Sequence, residues 1–336
     1  MVSLDKKALC LGELLIDFVS TASGVTLKDA PGFEKAPGGA PANVAVGLAK
    51  LGIETYFIGK VGKDAFGEFL RETLARNGVN TRFLTMTEKA KTTLAFVSLT
   101  KEGERDFVFY RDPGADTLLD QSDVTEECFQ GSGVFHFGSI TMTHEPACSA
   151  TLKALGLAEK YGYLISFDPN LRLQLWKDPE EARFRMRQGL EKTHVLKVNE
   201  EEARFIAASE SLEGALAFLQ ERYRLALIAV TLGKKGCLVV SGKKRLEVPG
   251  FSVATVDTTG AGDGFVAGLL SSLYMFWKDL RDGKEIPEDA LYHAARRANA
   301  VGALTTTKKG AIPALPTQEE VEVFLEEHPC DFRSLR

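Results

Sequence analysis

The sequence lacks several features that would each indicate a class of protein. None of the apolar runs in the 336 residues is long enough to span a bilayer, which argues against a membrane protein. The five cysteines are scattered without Cys-x-x-Cys spacing, so neither structural zinc nor a disulfide framework is indicated. The N-terminal residues do not have a signal-peptide layout, and we therefore expect a cytoplasmic protein. The net charge of -5 argues against nucleic acid as a partner.

Several catalytic motifs are also missing. Every Gly-Lys pair is followed by a residue other than Ser or Thr, so the chain has no P-loop. Phe265 stands where a dinucleotide fingerprint beginning at Gly260 would need its third glycine, which disfavours a dehydrogenase. Cys148 replaces the second histidine of His-Glu-x-x-His, and no Gly-x-Ser-x-Gly occurs. Metalloprotease and nucleophile-elbow chemistry are therefore disfavoured as well.

What the sequence does contain is an alternation of strand and helix patterns, typical of a parallel sheet covered by helices. A Gly- and Pro-rich loop is predicted at 23–39. Strands are predicted at 8–16, 55–58, 133–137, 163–167, 194–198, 225–232 and 236–240. Helices are predicted at 42–51, 65–77, 146–161, 180–191, 200–208, 212–223, 262–277, 288–304 and 317–327.

One segment interrupts this alternation. The runs 92–99 and 105–110 flank a Gly-containing turn at 101–104 and predict a β-hairpin. The hairpin is either a lid or an antiparallel pair on the edge of the main sheet, and its many Phe residues favour the lid. We expect one domain over 1–330, a lid formed by about 18–36 and 90–112, and a C-terminal tail at 331–336. An apolar outer face on the lid would allow a homodimer.

The stretch from Asp257 to Phe265 combines two glycines with a carboxylate before a helical apolar run. Gly260 and Gly262 allow successive N–H groups to converge on an anion, and a helix N-terminus favours negative charge there. Asp263 could then take a proton from an alcohol while the loop holds developing charge, which is the pattern of phosphoryl transfer. The alternative is a simple helix cap.

Other polar residues follow predicted strands, where ligands collect in α/β sheets. Taken singly, each has an ordinary structural alternative, such as a turn, a solvated loop or an exposed edge pair. Asn199 and Glu202 are suited to order magnesium-bound water, but their spacing is equally that of a capping box. The other residues in such positions are Asp17, Gly38, Gly39, Asn43, Tyr110, Arg111, Asp168, Asn170, Arg172, Thr231 and Gly233.

Taken in order, these motifs resemble the ribokinase-like sugar kinases, and within them the fructokinase branch. The resemblance runs from about residue 8 to 327. It is carried by the motifs Gly12-Glu-Leu-Leu-Ile-Asp17, Gly38-Gly-Ala-Pro-Ala-Asn43, Gly59-Lys-Val-Gly-Lys-Asp-Ala-Phe-Gly67, Phe109-Tyr-Arg111, Asp168-Pro-Asn170, Asn199-Glu-Glu-Glu202, Thr231-Leu-Gly233, Asp257-Thr-Thr-Gly-Ala-Gly-Asp263 and Thr307-Lys-Lys-Gly-Ala-Ile-Pro313.

The resemblance implies a three-layer α/β/α, Rossmann-like domain with a mainly parallel sheet and a small β-sheet lid. It implies transfer of the γ-phosphate of ATP to the 6-hydroxyl of D-fructose, with Asp263 as base and Gly260, Ala261 and Gly262 as anion hole. The sugar would be bound by Asp17, Gly38, Gly39, Asn43, Tyr110, Arg111 and Asn170. Alternatives are a 2-keto-3-deoxygluconate kinase, another sugar kinase of the family, or a regulator that has lost catalysis.

The resemblance also implies where the nucleotide and ions bind. ATP would lie along Gly260, Gly262, Asn199, Glu202, Thr231, Gly233, Gly236 and Asn299, with Mg²⁺ held through water by Asn199 and Glu202. A K⁺ site would involve Asp257, Thr259, Thr305, Lys308 and Gly310. Two positions depart from the family pattern: Gly264 replaces a small residue with a Cβ, and Ala314 replaces a serine near the ion site.

Overall fold

The computed structural model describes residues 6–99 and 105–329. Its strands are β1 Lys6–Leu11, β2 Leu15–Ser20, β3 Phe33–Gly38, β4 Thr55–Gly62, β5 Val79–Asn80, β6 Leu84–Thr87, β7 Leu94–Leu99, β8 Arg105–Tyr110, β9 Ser132–Gly138, β10 Leu164–Asp168, β11 Val195–Asn199, β12 Leu227–Thr231, β13 Gly236–Ser241 and β14 Lys244–Pro249. Its helices are α1 Ala40–Lys50, α2 Ala65–Arg76, α3 Ala147–Lys160, α4 Pro179–Leu190, α5 Glu200–Ala207, α6 Leu212–Arg222, α7 Ala261–Leu273, α8 Trp277–Arg281, α9 Glu288–Thr305 and α10 Gln318–Glu327.

The main sheet has ten strands in the order β14-β13-β12-β11-β10-β9-β1-β4-β5, with β6 also paired to β4. Neighbouring strands from β12 to β5 are parallel, whereas β13 is antiparallel to both of its neighbours. Parallel neighbours need a crossover connection, and helices supply most of these crossovers. The predicted mainly parallel sheet is therefore confirmed.

Helices cover both faces of this sheet. One apolar core packs α1, α7, α9 and α10 against one face, and a second packs α3, α4, α5 and α6 against the other. The strands between them are apolar on both sides, as expected for a sheet buried on two faces. The three-layer α/β/α arrangement is thus confirmed. None of the helices in the described part of the chain is long and apolar enough to cross a membrane.

A second, four-stranded sheet has the order β3-β2-β7-β8. Its outer pairs are antiparallel, while β2 and β7 are parallel. The predicted hairpin therefore belongs to a separate small sheet and is not an edge pair of the main one. The small sheet extends beyond the predicted segment 18–36, to Leu15 on one side and Gly38 on the other. The predicted hairpin turn at 101–104 and the tail at 331–336 lie outside the described residues.

Three predicted elements were wrong. The single strand at 8–16 is two strands in different sheets, separated at Gly12, where a Cβ would lie 2.2 Å from Cγ of Pro41. The predicted loop at 23–39 contains β3, whose glycine and proline hid its strand character. The predicted helix 262–277 ends at Leu273 and is followed by a 3₁₀ turn and α8.

Candidate active site

The carboxyl ends of three adjacent parallel strands bring polar residues to one edge of the main sheet. β10 ends at Asp168, β11 at Asn199 and β12 at Thr231. The register of β11 on β12 places Asn199 directly opposite Thr231. This is the edge at which parallel α/β sheets bind ligands.

The N-terminus of α7 completes this edge. Gly260 precedes the helix with a φ of 78°, and a Cβ there would lie 2.7 Å from the Cβ of Ala311. The first N–H groups of a helix have no intrahelical acceptor, and here the N–H of Ala261 donates to the Thr258 carbonyl before the helix at 3.3 Å. Together with the helix dipole they make this turn suited to an anion.

Asp263 lies in that first turn and is buried, with 9% of its surface exposed. One of its carboxylate oxygens accepts a 2.7 Å hydrogen bond from Nδ2 of Asn43, at the start of α1. Burial raises the pKa of Asp263 to about 6, although the Asn43 bond and the charge of Lys197 oppose the rise. The amide oxygen of Asn43 is buried without a hydrogen-bond partner. The structure thus places the predicted base next to Asn43, a residue predicted to bind the sugar. The amide oxygen of Asn43 remains able to accept a hydrogen bond.

Lys197 is a component that the sequence analysis missed. Its ammonium makes a 2.9 Å ion pair with Asp168 on the neighbouring strand, and both side chains are buried. Burial alone would lower the pKa of Lys197, but the charges of Asp168, Glu202 and Asp263 outweigh it and raise that pKa. A Cβ on Gly262 would lie 3.2 Å from the Lys197 ammonium, which therefore adjoins the predicted anion hole. The sequence could have revealed Lys197, because it is a charged residue within an otherwise apolar strand.

Asn199 and Glu202 form the capping box that the sequence allowed. The Asn199 side chain accepts from the Glu202 N–H at 2.8 Å, and the Glu202 carboxylate accepts from the Asn199 N–H at 2.9 Å. The other Glu202 oxygen accepts from the N–H of Leu171 at 2.9 Å. Oxygens held in this way are suited to accept from metal-bound water, and less suited to direct coordination.

The predicted sugar residues at the small sheet also meet. Asp17 lies on β2, and a Cβ at Gly38 would lie 2.1 Å from its carboxylate. Gly39 has a φ of 113°, and a Cβ there would lie 2.3 Å from the carbonyl oxygen of Glu13. Glycine is required at Gly39 because of its positive φ and its contact with backbone, whereas a side chain at Gly38 would displace the Asp17 carboxylate. Asn170 has a φ of 43° and donates its backbone N–H to Asp168 at 3.1 Å.

Arg111 and Tyr110 are adjacent in sequence but have different environments. Tyr110 is 65% exposed and packs edge-on against Phe96. Arg111 is buried and is paired with Asp116 at 2.7 Å, with further bonds to the Thr143 hydroxyl and the Ile140 carbonyl. Its donors are therefore largely engaged within the protein.

The predicted nucleotide residues lie around the β12–β13 turn. Gly233 and Gly236 both have positive φ, and a Cβ on Gly236 would lie 2.1 Å from the Val248 carbonyl oxygen. The Thr231 hydroxyl donates to the Val198 carbonyl at 3.4 Å. Asn299 is buried in α9 and donates to the Val248 carbonyl at 3.0 Å, so its amide links α9 to β14.

Asp257 organises the loop before α7. It accepts from the backbone N–H and hydroxyl of Thr259 at 2.9 and 2.7 Å, and from the Gly310 N–H at 2.9 Å. The predicted potassium residues Thr259 and Gly310 therefore converge on this carboxylate. Thr305 is fully buried in α9, whereas the Lys308 side chain points to Glu320, with which it forms an ion pair. No cluster of three or more His, Cys, Asp or Glu suited to a metal occurs within 6–99 and 105–329.

The structure explains why glycine, rather than a small residue with a Cβ, is found at position 264. A Cβ at this position would lie 2.6 Å from the hydroxyl oxygen of Thr305. That hydroxyl donates to the Val301 carbonyl at 2.8 Å and is held in place. The glycine therefore fits the threonine that packs against the first turn of α7.

Comparison with known proteins shows which family the chain resembles. A family model described as pfkB family carbohydrate kinase matches residues 5–318. A probable fructokinase-4 from Arabidopsis thaliana is 47% identical over 316 residues, covering 94% of this chain and 95% of the relative. These matches confirm the resemblance to the fructokinase branch.

Solved structures give the same result. The fructokinase from Xylella fastidiosa with bound ATP superimposes with a TM-score of 0.87 at 35% identity, over 97% of this chain and 99% of that one. A double mutant of the fructokinase from Vibrio cholerae O395, bound to fructose, ADP and potassium, has a TM-score of 0.85 at 34% identity, over 97% and 100%. The chain belongs to the pfkB family of carbohydrate kinases.

Proposed function

We propose that this protein is an ATP-dependent fructokinase that phosphorylates the 6-hydroxyl of D-fructose. The observation that carries the proposal is the buried Asp263 beside Asn43 at the N-terminus of α7, in a chain whose full-length relatives are named fructokinases. The fructokinase from Vibrio cholerae binds fructose and ADP together in one structure, which supports the same pair of ligands here.

In the proposed reaction, the sugar hydroxyl oxygen attacks the γ-phosphorus as its proton passes to Asp263. An O–P bond forms to the sugar, the bond to the β,γ-bridging oxygen breaks, and that oxygen leaves on ADP with the electron pair. Asn43 holds one oxygen of the carboxylate, and the other oxygen would take the proton. The first turn of α7, with Gly260, Ala261 and Gly262, stabilises the transferred group.

We propose that the small sheet acts as the lid of a single domain. Asp17, Gly38 and Gly39 lie where that sheet meets α1, so sugar bound there would also contact Asn43 and Asn170. Tyr110 would close over the sugar, and Arg111 would support the sugar site by holding the segment after β8 in place. Val108 is 44% exposed and adds apolar surface on β8, which supports a homodimer formed through the lid.

We propose that ATP lies across Thr231, Gly233, Gly236 and Asn299, with Asn199 and Glu202 holding the water shell of Mg²⁺. Magnesium would supply charge compensation for the phosphates. Potassium would bind beside the loop that Asp257 organises, with Thr259 and the backbones of Thr305, Lys308 and Gly310. The potassium ion in the Vibrio cholerae enzyme supports this assignment.

The test is an ADP-release assay with ATP and Mg²⁺ against fructose, glucose, ribose and 2-keto-3-deoxygluconate. Each reaction is run in potassium and in sodium at equal ionic strength. We expect the highest kcat/KM with fructose and faster turnover in potassium. A higher kcat/KM with another sugar would show that fructose is not the preferred substrate. ATP binding without turnover on any sugar would indicate a regulator.

A further inference from the structure

Lys197 has no role in the mechanism described so far, yet its charged side chain is buried and held in an ion pair. Only 9% of its surface is exposed, and its ammonium is 2.9 Å from Asp168. Burying a lysine is costly unless the charge is paired, and a paired site can often be replaced by apolar residues without loss of stability. Stability alone therefore does not explain why a cation is placed here.

The direction of the side chain indicates what the cation serves. Leu196 and Val198 belong to the core on one face of the sheet, whereas Val195 belongs to the core that contains α7. Because side chains alternate along a strand, Lys197 points to the α7 face. A Cβ on Gly262 would be 3.2 Å from its ammonium, so the cation adjoins the first turn of that helix.

The surroundings of Asp263 explain what a cation there would do. Four groups from different elements act on this carboxylate: Asn43 from α1, Asp168 from β10, Arg172 from the segment after β10, and Lys197 from β11. Burial and Asp168 both favour the protonated acid, which cannot accept a proton from a substrate. Lys197, Arg172 and the Asn43 bond favour the carboxylate.

We propose that Lys197 is a catalytic residue of phosphoryl transfer. Held by Asp168, its ammonium attracts the transferred phosphoryl group toward the first turn of α7 and keeps Asp263 in its carboxylate form. The inference rests on the proposed function, because it assigns Lys197 a part in the same reaction.

The first test is the Lys197→Met variant, which keeps the length of the side chain and removes its charge. We expect kcat to fall by about 10²–10³-fold, the range seen when one electrostatic group of an active site is removed. We also expect the acidic limb of the kcat/KM profile to move up by about 0.5–1 pH unit, because Asp263 loses a neighbouring positive charge. Lys197→Arg should recover part of kcat and return the limb toward its wild-type position.

Lys60 offers a matched control. It is equally buried at 9% exposure and makes a 2.6 Å ion pair with Asp123, but it has no contact with α7 in the described hydrogen bonds and ion pairs. Lys60→Met should lower the thermal stability and leave kcat and the acidic limb unchanged. If both variants alter activity equally, or if Lys197→Met keeps kcat within about threefold and an unshifted limb, the proposal is wrong.

Lys197→Met leaves Asp168 buried without its partner, so the single variant risks poor folding. The double variant Lys197→Met with Asp168→Asn removes that charge and should still show the loss of kcat. Calorimetry with ATP and with ADP gives a readout that needs no sugar. We expect Lys197→Met to reduce the preference for ATP over ADP by about 10-fold, as for loss of a charge-assisted bond to the terminal phosphate. An unchanged preference would overturn the inference even if no sugar is turned over.

Discussion

Two buried polar clusters in this protein both combine acidic and basic side chains, but they differ in how many hydrogen bonds their central residues make. The base cluster consists of Asp263, Asn43, Lys197 and Asp168. The arginine cluster consists of Arg111, Asp116, Thr93 and Glu13. In the base cluster, one described side-chain hydrogen bond reaches Asp263, and the amide oxygen of Asn43 has no partner. In the arginine cluster, Arg111 bonds three different residues, and Asp116 also accepts from the Thr93 hydroxyl.

The difference separates a site prepared for a ligand from one that holds the fold. Unmet hydrogen-bonding capacity in a buried place is costly, and a bound substrate can satisfy it. The base cluster retains such capacity where the proposed sugar and phosphate meet. In the arginine cluster, Arg111, Asp116 and Thr93 bond within the protein and join the segment after β8 to the segment after β9. One oxygen of Glu13 is the exception, since it is buried without a partner. Three substitutions in these clusters, and a fourth at Gly264 next to Asp263, are expected to have effects of decreasing size.

The largest effect is expected from Asp263→Asn. The amide cannot take the proton of the sugar hydroxyl, so kcat should fall by about 10²–10⁴-fold. The wild-type kcat/KM profile should have an acidic limb near pH 6, because the pKa of Asp263 is raised to about 6 by burial. Steady-state assays from pH 5 to pH 9 measure both. A variant with nearly unchanged turnover would remove Asp263 from the role of base.

Arg111→Met should act mainly on stability. It leaves Asp116 buried with one partner fewer, and breaking such a pair costs about 3–5 kcal/mol of unfolding free energy. Urea denaturation measures this loss. Arg82→Met is the control, since it removes an exposed ion pair with Glu127 and should cost far less. A large rise in KM for the sugar with little loss of stability would instead place Arg111 among ligands of the substrate.

Glu13→Gln should change how stability depends on pH. Burial raises the pKa of Glu13 to about 7, and one of its oxygens has no partner. The folded state therefore favours the protonated acid, and wild-type stability falls as pH rises from about 4.5 to about 7. Glutamine does not ionise, so its stability relative to wild type should increase across this range by up to about 3 kcal/mol. Thermal unfolding of both proteins at pH 5 and pH 8 gives the comparison, and a constant difference would contradict it.

Gly264→Ala should have the smallest effect, because two terms oppose each other. Alanine favours the helix by about 1 kcal/mol, but its Cβ would meet the Thr305 hydroxyl at 2.6 Å. We expect a net loss of about 1 kcal/mol in the wild-type background. In a Thr305→Ala background the same change should become neutral or stabilising. A double-mutant cycle by urea denaturation measures this coupling, and additive effects would show that the contact is unimportant.

The sequence predicted the base cluster in part. Asp263 was found because its carboxylate, two glycines and a helix start are adjacent in the chain. Lys197 was not, since its partner Asp168 is 29 residues away and only the register of β10 on β11 brings them together. Arg111 was weighed against an exposed edge pair, and its burial depends on Asp116 and on the carbonyl of Ile140, which periodicity does not reveal.

The fold was predictable where pattern and burial agree. The strands from β9 to β13 are apolar on both faces and were predicted close to their observed bounds. The small sheet was only half predicted, because β7 and β8 are rich in aromatic residues whereas β3 contains proline and glycine. β14 was missed because it alternates charged and apolar residues at the edge of the sheet.

The crossings between the two sheets have a consequence for substrate choice. The chain passes between the sheets at Gly12 and again at Gly38 and Gly39, where added Cβ atoms would lie within 2.3 Å of neighbouring atoms. Such close contacts limit how far the backbone can shift at these two crossings. If Asp17 holds one end of the sugar, as proposed, these two crossings would limit its distance from Asp263 when the lid closes. The two crossings would then select sugars by length, because the hydroxyl of a shorter sugar bound at Asp17 would not reach Asp263.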